Sequence, residues 1–225
     1  MIIAVGNLKG GVGKTTLAVN LAITLSTSKR DVLLIDAEGA ALAFTDLRTA
    51  TKGSPGYTAV GLHGTSIRTQ VRQLAAKYSD VVIDIGGEDA TGSLRAALTV
   101  ADTVLMPLKP RSFDLWRTEQ TLELVVEARE INDRLRAVAV LNEADPQGRD
   151  NEAAIEALRE MPGLEVAPVM IGRRKAFSNA AAHGLAIQEY EQESKGVEEF
   201  RKLVRFLTHW TVQTSDIRKV ANGNR

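Results

Sequence analysis

The chain has 225 residues, 44% of them hydrophobic and 25% charged, an ordinary composition for one folded domain with a sizeable core. It has no cysteine and three scattered histidines, His63, His183 and His209, which excludes disulfides, thiolate nucleophiles and cysteine-ligated metals and leaves no histidine pair at ligand spacing. Lys+Arg and Asp+Glu both number 28, so the chain is not globally basic; yet Met170 onward holds ten basic against six acidic residues, which directs any polyanion contact to the C-terminal part.

In chain order, the first apolar run, Ile2–Val5, reads as a buried strand, and the helical spacing of Thr15–Leu25 follows it. Between them stands Lys9-Gly10-Gly11-Val12-Gly13-Lys14-Thr15-Thr16. Glycines at 10, 11 and 13 let backbone N–H groups turn inward around a phosphate, and the helix N-terminus adds its positive dipole end. Lys14 supplies a cation for the outer phosphates, and the Thr15 hydroxyl is placed to ligate Mg²⁺. The segment therefore reads as a nucleoside-triphosphate loop. It departs from the general spacing in having Leu8 where a glycine is usual and a second lysine, Lys9, at its mouth.

Two further apolar runs, Val32–Ile35 and Val81–Ile85, bring Asp36 and Asp84 to strand ends. A carboxylate beside a buried strand is costly unless solvated, paired or near a cation, and Mg²⁺ held by Thr15 is the natural counter-charge. Thr51–Gly64 reads as a surface loop with a short strand at Tyr57–Val60. Beyond it, helical spacing at Leu94–Val100, Leu115–Ile131 and Glu152–Leu158 alternates with strands at Val104–Leu108, Val138–Leu141 and Val166–Ile171. Val197, Phe200, Leu203, Val204, Leu207 and Trp210 form the apolar face of a closing helix, and Thr214–Arg225 is expected to fray. This alternation predicts an α/β fold, a mostly parallel doubly wound sheet with helices on both faces, in one domain over 1–212 with a tail at 213–225. A ligand belongs at the edge where the strand C-termini gather. No apolar run approaches the roughly 20 residues needed to span a bilayer, and no cleavable leader is read, so a cytoplasmic protein is expected.

Lys9 together with the Gly-Gly-x-Gly-Lys-Thr-Thr run resembles the signature of the ParA/MinD group of deviant Walker-A ATPases. The resemblance extends from Met1 to about Phe206, closest to the short ParA or ParF-type partition class. It implies ATP and Mg²⁺ as cofactors, an ATP-bound homodimer, and Lys9 reaching across to the partner's phosphates. It places Asp84, followed by Gly86 and Gly87, at the metal through a water, and Asp36 and Glu38 in the network around metal and attacking water. The family's Asp-x-Asp-Pro-Gln is here Asp36-Ala37-Glu38-Gly39-Ala40, one methylene longer at the second acid and lacking Pro-Gln, which predicts slow hydrolysis. Asn142 resembles the family's asparagine near adenine, and Pro168–Arg174 with Ala176, Phe177 and Gly184 resembles its tail block.

Short family members bind DNA non-specifically as ATP dimers and release it when a centromere-bound ParB-like partner stimulates hydrolysis. The contacts expected here are Arg173, Arg174, Lys175, Lys195, Arg201, Lys202 and Arg205, doubled by dimerisation. With no residues read before the first strand to build a helix-turn-helix, operator recognition is not expected, and the implied location is the nucleoid. Two rivals share the scaffold: a MinD-like membrane-positioning ATPase anchored by the closing helix, and a small-molecule ligase or kinase using Lys109 and Arg111.

Overall fold

The computed structural model describes residues 1–86, 90–110, 115–145 and 147–222. Gly87, Arg111 and the side chain of Trp210 lie outside the described residues.

The chain begins with β1 (Ile2–Gly6), α1 (Lys14–Thr27), β2 (Val32–Asp36), α2 (Ala40–Lys52), β3 (Thr58–Gly61), α3 (Ser66–Leu74) and β4 (Asp80–Ile85). It continues through α4 (Ala90–Leu98), β5 (Thr103–Leu108), α5 (Leu115–Arg129), β6 (Arg136–Ala144), α6 (Asp150–Arg159), β7 (Leu164–Val166) and β8 (Ile171–Gly172). Three helices close it: α7 (Lys175–Ala182), α8 (Ile187–Tyr190) and α9 (Lys195–Asn222). The strands run in the order β3-β2-β4-β1-β5-β6-β7 with β8 also on β6, and every pairing among the described residues is parallel.

Parallel strands covered on both faces must be apolar on both, and here alternate residues feed two cores. Ile3, Val5, Val32, Leu34 and Val82 pack with α1 and α9, while Ala4, Leu33, Ile35, Val81 and Ile83 pack with α3, α4, α5 and α6. The connection from β1 leads away to β2, with β4 later filling the gap and β5 taking the opposite side. That reversal beside β1 opens a crevice at the strand C-termini, and the glycine loop leaves β1 into it.

The elements differ from the expectation in places. The strand expected at Val166–Ile171 is two short strands separated by Pro168, whose missing N–H cannot extend a ladder. Helix α9 runs on to Asn222, over part of the stretch expected as a tail. The stretches around α2, α3, α7 and α8 carry helices that the apolar spacing did not predict. The closing helix does pack as expected, with Val197, Phe200, Leu203 and Leu207 buried and Arg201, Lys202 and Arg205 exposed.

Candidate nucleotide site

The loop after β1 is built by its neighbours as much as by its glycines. Asn7, buried at the end of β1, donates its amide to the Pro107 carbonyl at 3.0 Å and accepts the Lys9 N–H at 2.9 Å, tying the loop mouth to β5. Leu8 N–H meets the Thr121 hydroxyl of α5 at 3.4 Å. Gly13 caps α1 at φ 91°, a left-handed conformation that a side chain would strain, and an added Cβ there would also strike the Asn142 amide. No acid occupies the first turn of α1, so its N-terminal amides face no built-in anion.

Lys14 Nζ donates to the Lys9 carbonyl at 2.9 Å. Burial pushes its ammonium below the ordinary value, opposed by the nearby Asp84 and Glu38 carboxylates. Lys9 itself is half-buried at the loop mouth, and its carbonyl is the group that Lys14 meets.

Asp36 and Asp84 are register partners on β2 and β4, and both are buried. Their surroundings differ. Asp36 Oδ1 accepts the Glu38 and Gly39 amides, each at 2.8 Å, and Oδ2 accepts the Leu42 amide at 2.7 Å, so this carboxylate caps α2 and shapes the turn before it. One lone-pair direction on Oδ2 remains for a water or a metal-bound water beside this capping role. Neither oxygen of Asp84 completes a hydrogen bond among the described residues. Burial pushes Asp84 up to about 7, the Asp36 and Glu38 carboxylates push the same way, and the nearby Thr15 hydroxyl and Lys14 oppose them. An orphaned buried carboxylate beside a threonine hydroxyl and a phosphate-binding loop fits Mg²⁺, which takes one or two protein oxygens and fills its shell with phosphates and water.

Glu38 is exposed, within electrostatic reach of Lys14 and Asp84, and its carboxylate lies against Gly86, where an added Cβ would collide with it. The glycine after β4 therefore makes room for the acid after β2.

Asn142 lies within β6 and donates its amide to the Val12 carbonyl at 2.8 Å. Beside it, a cavity of about 540 Å³ is lined by Gly13, Thr16, Asn142, Glu143, Arg173, Arg174, Lys175 and Phe177, among others. Pro168, expected in the site, is exposed between β7 and β8 and is not among the residues that line this cavity. Arg174 donates to Glu199 at 2.7 Å and Arg173 and Lys175 stand at the cavity rim, so these three cations border the loop rather than a separate surface. The remaining four, Lys195, Arg201, Lys202 and Arg205, share one shallow surface of α9, where Lys202 pairs with Glu198 at 2.7 Å. Sequence reasoning missed the bracing role of Asn7 and of Asn20, whose side chain accepts the Ile187 amide at 2.8 Å; buried asparagines leave no periodic signal.

The CobQ/CobB/MinD/ParA nucleotide binding domain model matches residues 3–187. The chain belongs to this family. As a ParA/MinD-type ATPase it is similar to the maintenance of carboxysome distribution protein A of Halothiobacillus neapolitanus, 32% identical over 192 residues that cover 82% of this chain and 85% of that one. It is similar also to the chromosome partitioning protein ParA of Myxococcus xanthus, 28% identical with 98% and 92% covered. Among solved structures, the septum site-determining protein MinD of Pyrococcus horikoshii, complexed with Mg-ADP, superposes with a TM-score of 0.70 at 19% identity, covering 93% of this chain and 96% of that one. The family thus agrees with the loop, the parallel sheet and the nucleotide chemistry read from the residues.

Proposed function

We propose that this ParA/MinD-type ATPase is an ATP-switched positioning factor: the ATP-bound chain dimerises, binds DNA non-specifically, and is released when a ParB-like adaptor stimulates hydrolysis. The observation that supports it most is the pair of lysines at the loop, Lys14 held inside by the Lys9 carbonyl and Lys9 at the mouth. One lysine suffices for a triphosphate within one chain. A second at the mouth answers the repulsion of two triphosphates brought face to face.

In this reading the α1 N-terminus and Lys14 bind the phosphates, Thr15 and Asp84 hold Mg²⁺, and Asn142 fixes the loop backbone. Bound Mg²⁺ supplies charge neutralisation at the phosphates. Glu38 orients the attacking water from the turn that Asp36 caps, on the far side of Gly86. DNA phosphates meet Lys195, Arg201, Lys202 and Arg205, too few for tight binding by one chain and doubled in a dimer, which places the protein on the nucleoid. The apolar stripe of α9 from Val197 to Leu207 is spent on the core, which favours DNA over a membrane as the surface this helix serves. The named relatives position different cargoes, a carboxysome and a chromosome, and the cargo here belongs to the adaptor.

Sizing in solution with ATP, ADP and no nucleotide tests the switch: a dimer with ATP alone, lost in Lys9→Ala, is expected, and a dimer indifferent to both overturns it. Duplex DNA binding across a salt series, beside co-sedimentation with liposomes, tests the surface.

A further inference from the structure

Helix α5 packs its Thr118, Thr121, Leu124, Val125 and Ala128 side inward, yet its outer side is not a plain polar face. Leu115 and Val126 are 46% and 61% exposed, and with half-buried Leu122 they recur at i, i+7 and i+11. Met161, after α6, completes an apolar floor between the two helices, in a groove of about 820 Å³. Apolar side chains aligned along an open groove are where a partner gains affinity, because covering them removes that area from water.

The rim carries the second observation. Glu119, Glu123 and Glu127 follow the floor along α5 and Glu160 stands opposite on the α6 side, with Arg95 paired to Glu127 at one end. Glu119, Glu123 and Glu160, with Glu127 already offset by Arg95, give the apolar trough an acidic rim that repels a nucleic-acid backbone and an anionic lipid surface alike. They attract cations flanking an apolar stripe. From Leu115 to Glu127 the groove runs roughly 18 Å along the helix, the length of about three helical turns. We propose that the α5–α6 groove docks a basic amphipathic helix of a partner protein, its apolar residues at i, i+4 and i+7 on the floor and its lysines or arginines on the glutamate rim.

The surface is distinct from the four cations of α9 and from the phosphate loop, so it stands or falls apart from the DNA and dimer readings. The probe is a fluorescent synthetic helix of about 14 residues with leucines on one face and lysine and arginine beside them. Anisotropy with the full chain is expected to saturate, to weaken about tenfold or more in E119K/E123K, and to weaken also in Val126→Ser. Circular dichroism and nucleotide binding of both variants should match the parent, which separates a lost surface from a lost fold. No saturable binding, equal affinity for the variants, or equal affinity for the same peptide with glutamate in place of its basic residues overturns the proposal. So does a Val126-dependent change in the sedimentation of the chain alone, which would make the groove a contact between copies, or Val126-dependent capture by phosphatidylglycerol vesicles.

Discussion

Asp36 and Asp84 stand in register on neighbouring parallel strands, and the first carboxylate takes three backbone amide hydrogens while the second completes no hydrogen bond among the described residues. Two identical side chains one strand apart thus have opposite surroundings. Asp36 is held by the turn it caps, and Asp84 is buried at a cost that the nearby Thr15 hydroxyl and Lys14 offset only in part.

That cost predicts the behaviour of Asp84→Asn. The Asp84 carboxyl is pushed from an ordinary 3.8 up to about 7, so it favours the fold most below its unfolded value and loses that contribution as pH climbs toward 7. The amide cannot ionise, so the variant without nucleotide should melt higher than the parent, with the gap wider at about pH 8 than at about pH 5 and on the order of a few kcal/mol at most. Its Mg²⁺-dependent nucleotide affinity should fall. Scanning calorimetry at the two pH values, beside nucleotide titrations with and without Mg²⁺, checks both halves.

Glu38 lies against Gly86, so Gly86→Ala should displace its carboxylate without touching the phosphate loop. The expected outcome is ATP binding within about threefold of the parent and hydrolysis slowed on the order of a hundredfold, as for a misplaced positioning group. Glu38→Gln should do the same, and the shorter Glu38→Asp should hydrolyse faster than the parent. Single-turnover assays separate these effects from binding.

The Asn142 amide holds the Val12 carbonyl, so Asn142→Ala leaves that carbonyl unpaired and the loop backbone looser. Losing a buried hydrogen bond of this kind costs about 1–2 kcal/mol, so nucleotide affinity should fall roughly five- to thirtyfold with the melting temperature only slightly lower. Unchanged affinity would mean that the loop holds its shape without this strut.

Arg48 of α2 is buried and bidentate to Glu189, at 2.6 and 3.0 Å, and also donates to the Gly184 and Pro55 carbonyls. Burial pushes the Glu189 carboxyl up, but the Arg48 hydrogen bonds and the Ala186 amide outweigh it and hold the carboxyl below its ordinary value. The contribution is therefore present above the unfolded value and lost as pH falls through the lowered one. Arg48→Ala should destabilise by about 3 kcal/mol at neutral pH, and by less in acid, in urea titrations at two pH values.

The parts of the site that depend on local backbone chemistry were legible in the sequence: Gly10 to Thr16 between a strand and a helix, and Asp84 at the end of an apolar run. The parts that depend on what a polar side chain bonds to were not. Asn142 is written as a strand-end residue, yet its amide is spent on Val12, and Arg174 is written as an exposed cation, yet it is spent on Glu199. Helix α2 was missed because its buried face includes Thr45 and Arg48, which break the apolar period, and because its capping carboxylate sits at Asp36, upstream of the usual cap position. The break at Pro168 was not legible because a split ladder cannot be seen in a run of apolar residues.

The clamp on Arg48 also limits how Glu38 can travel. Helix α2 is pinned at its far end by the pair with Glu189 and at its near end by Asp36. The turn that carries Glu38 is moored to the same carboxylate through the Glu38 and Gly39 amides, so the freedom left to this acid lies in its exposed side chain and not in the backbone beneath it.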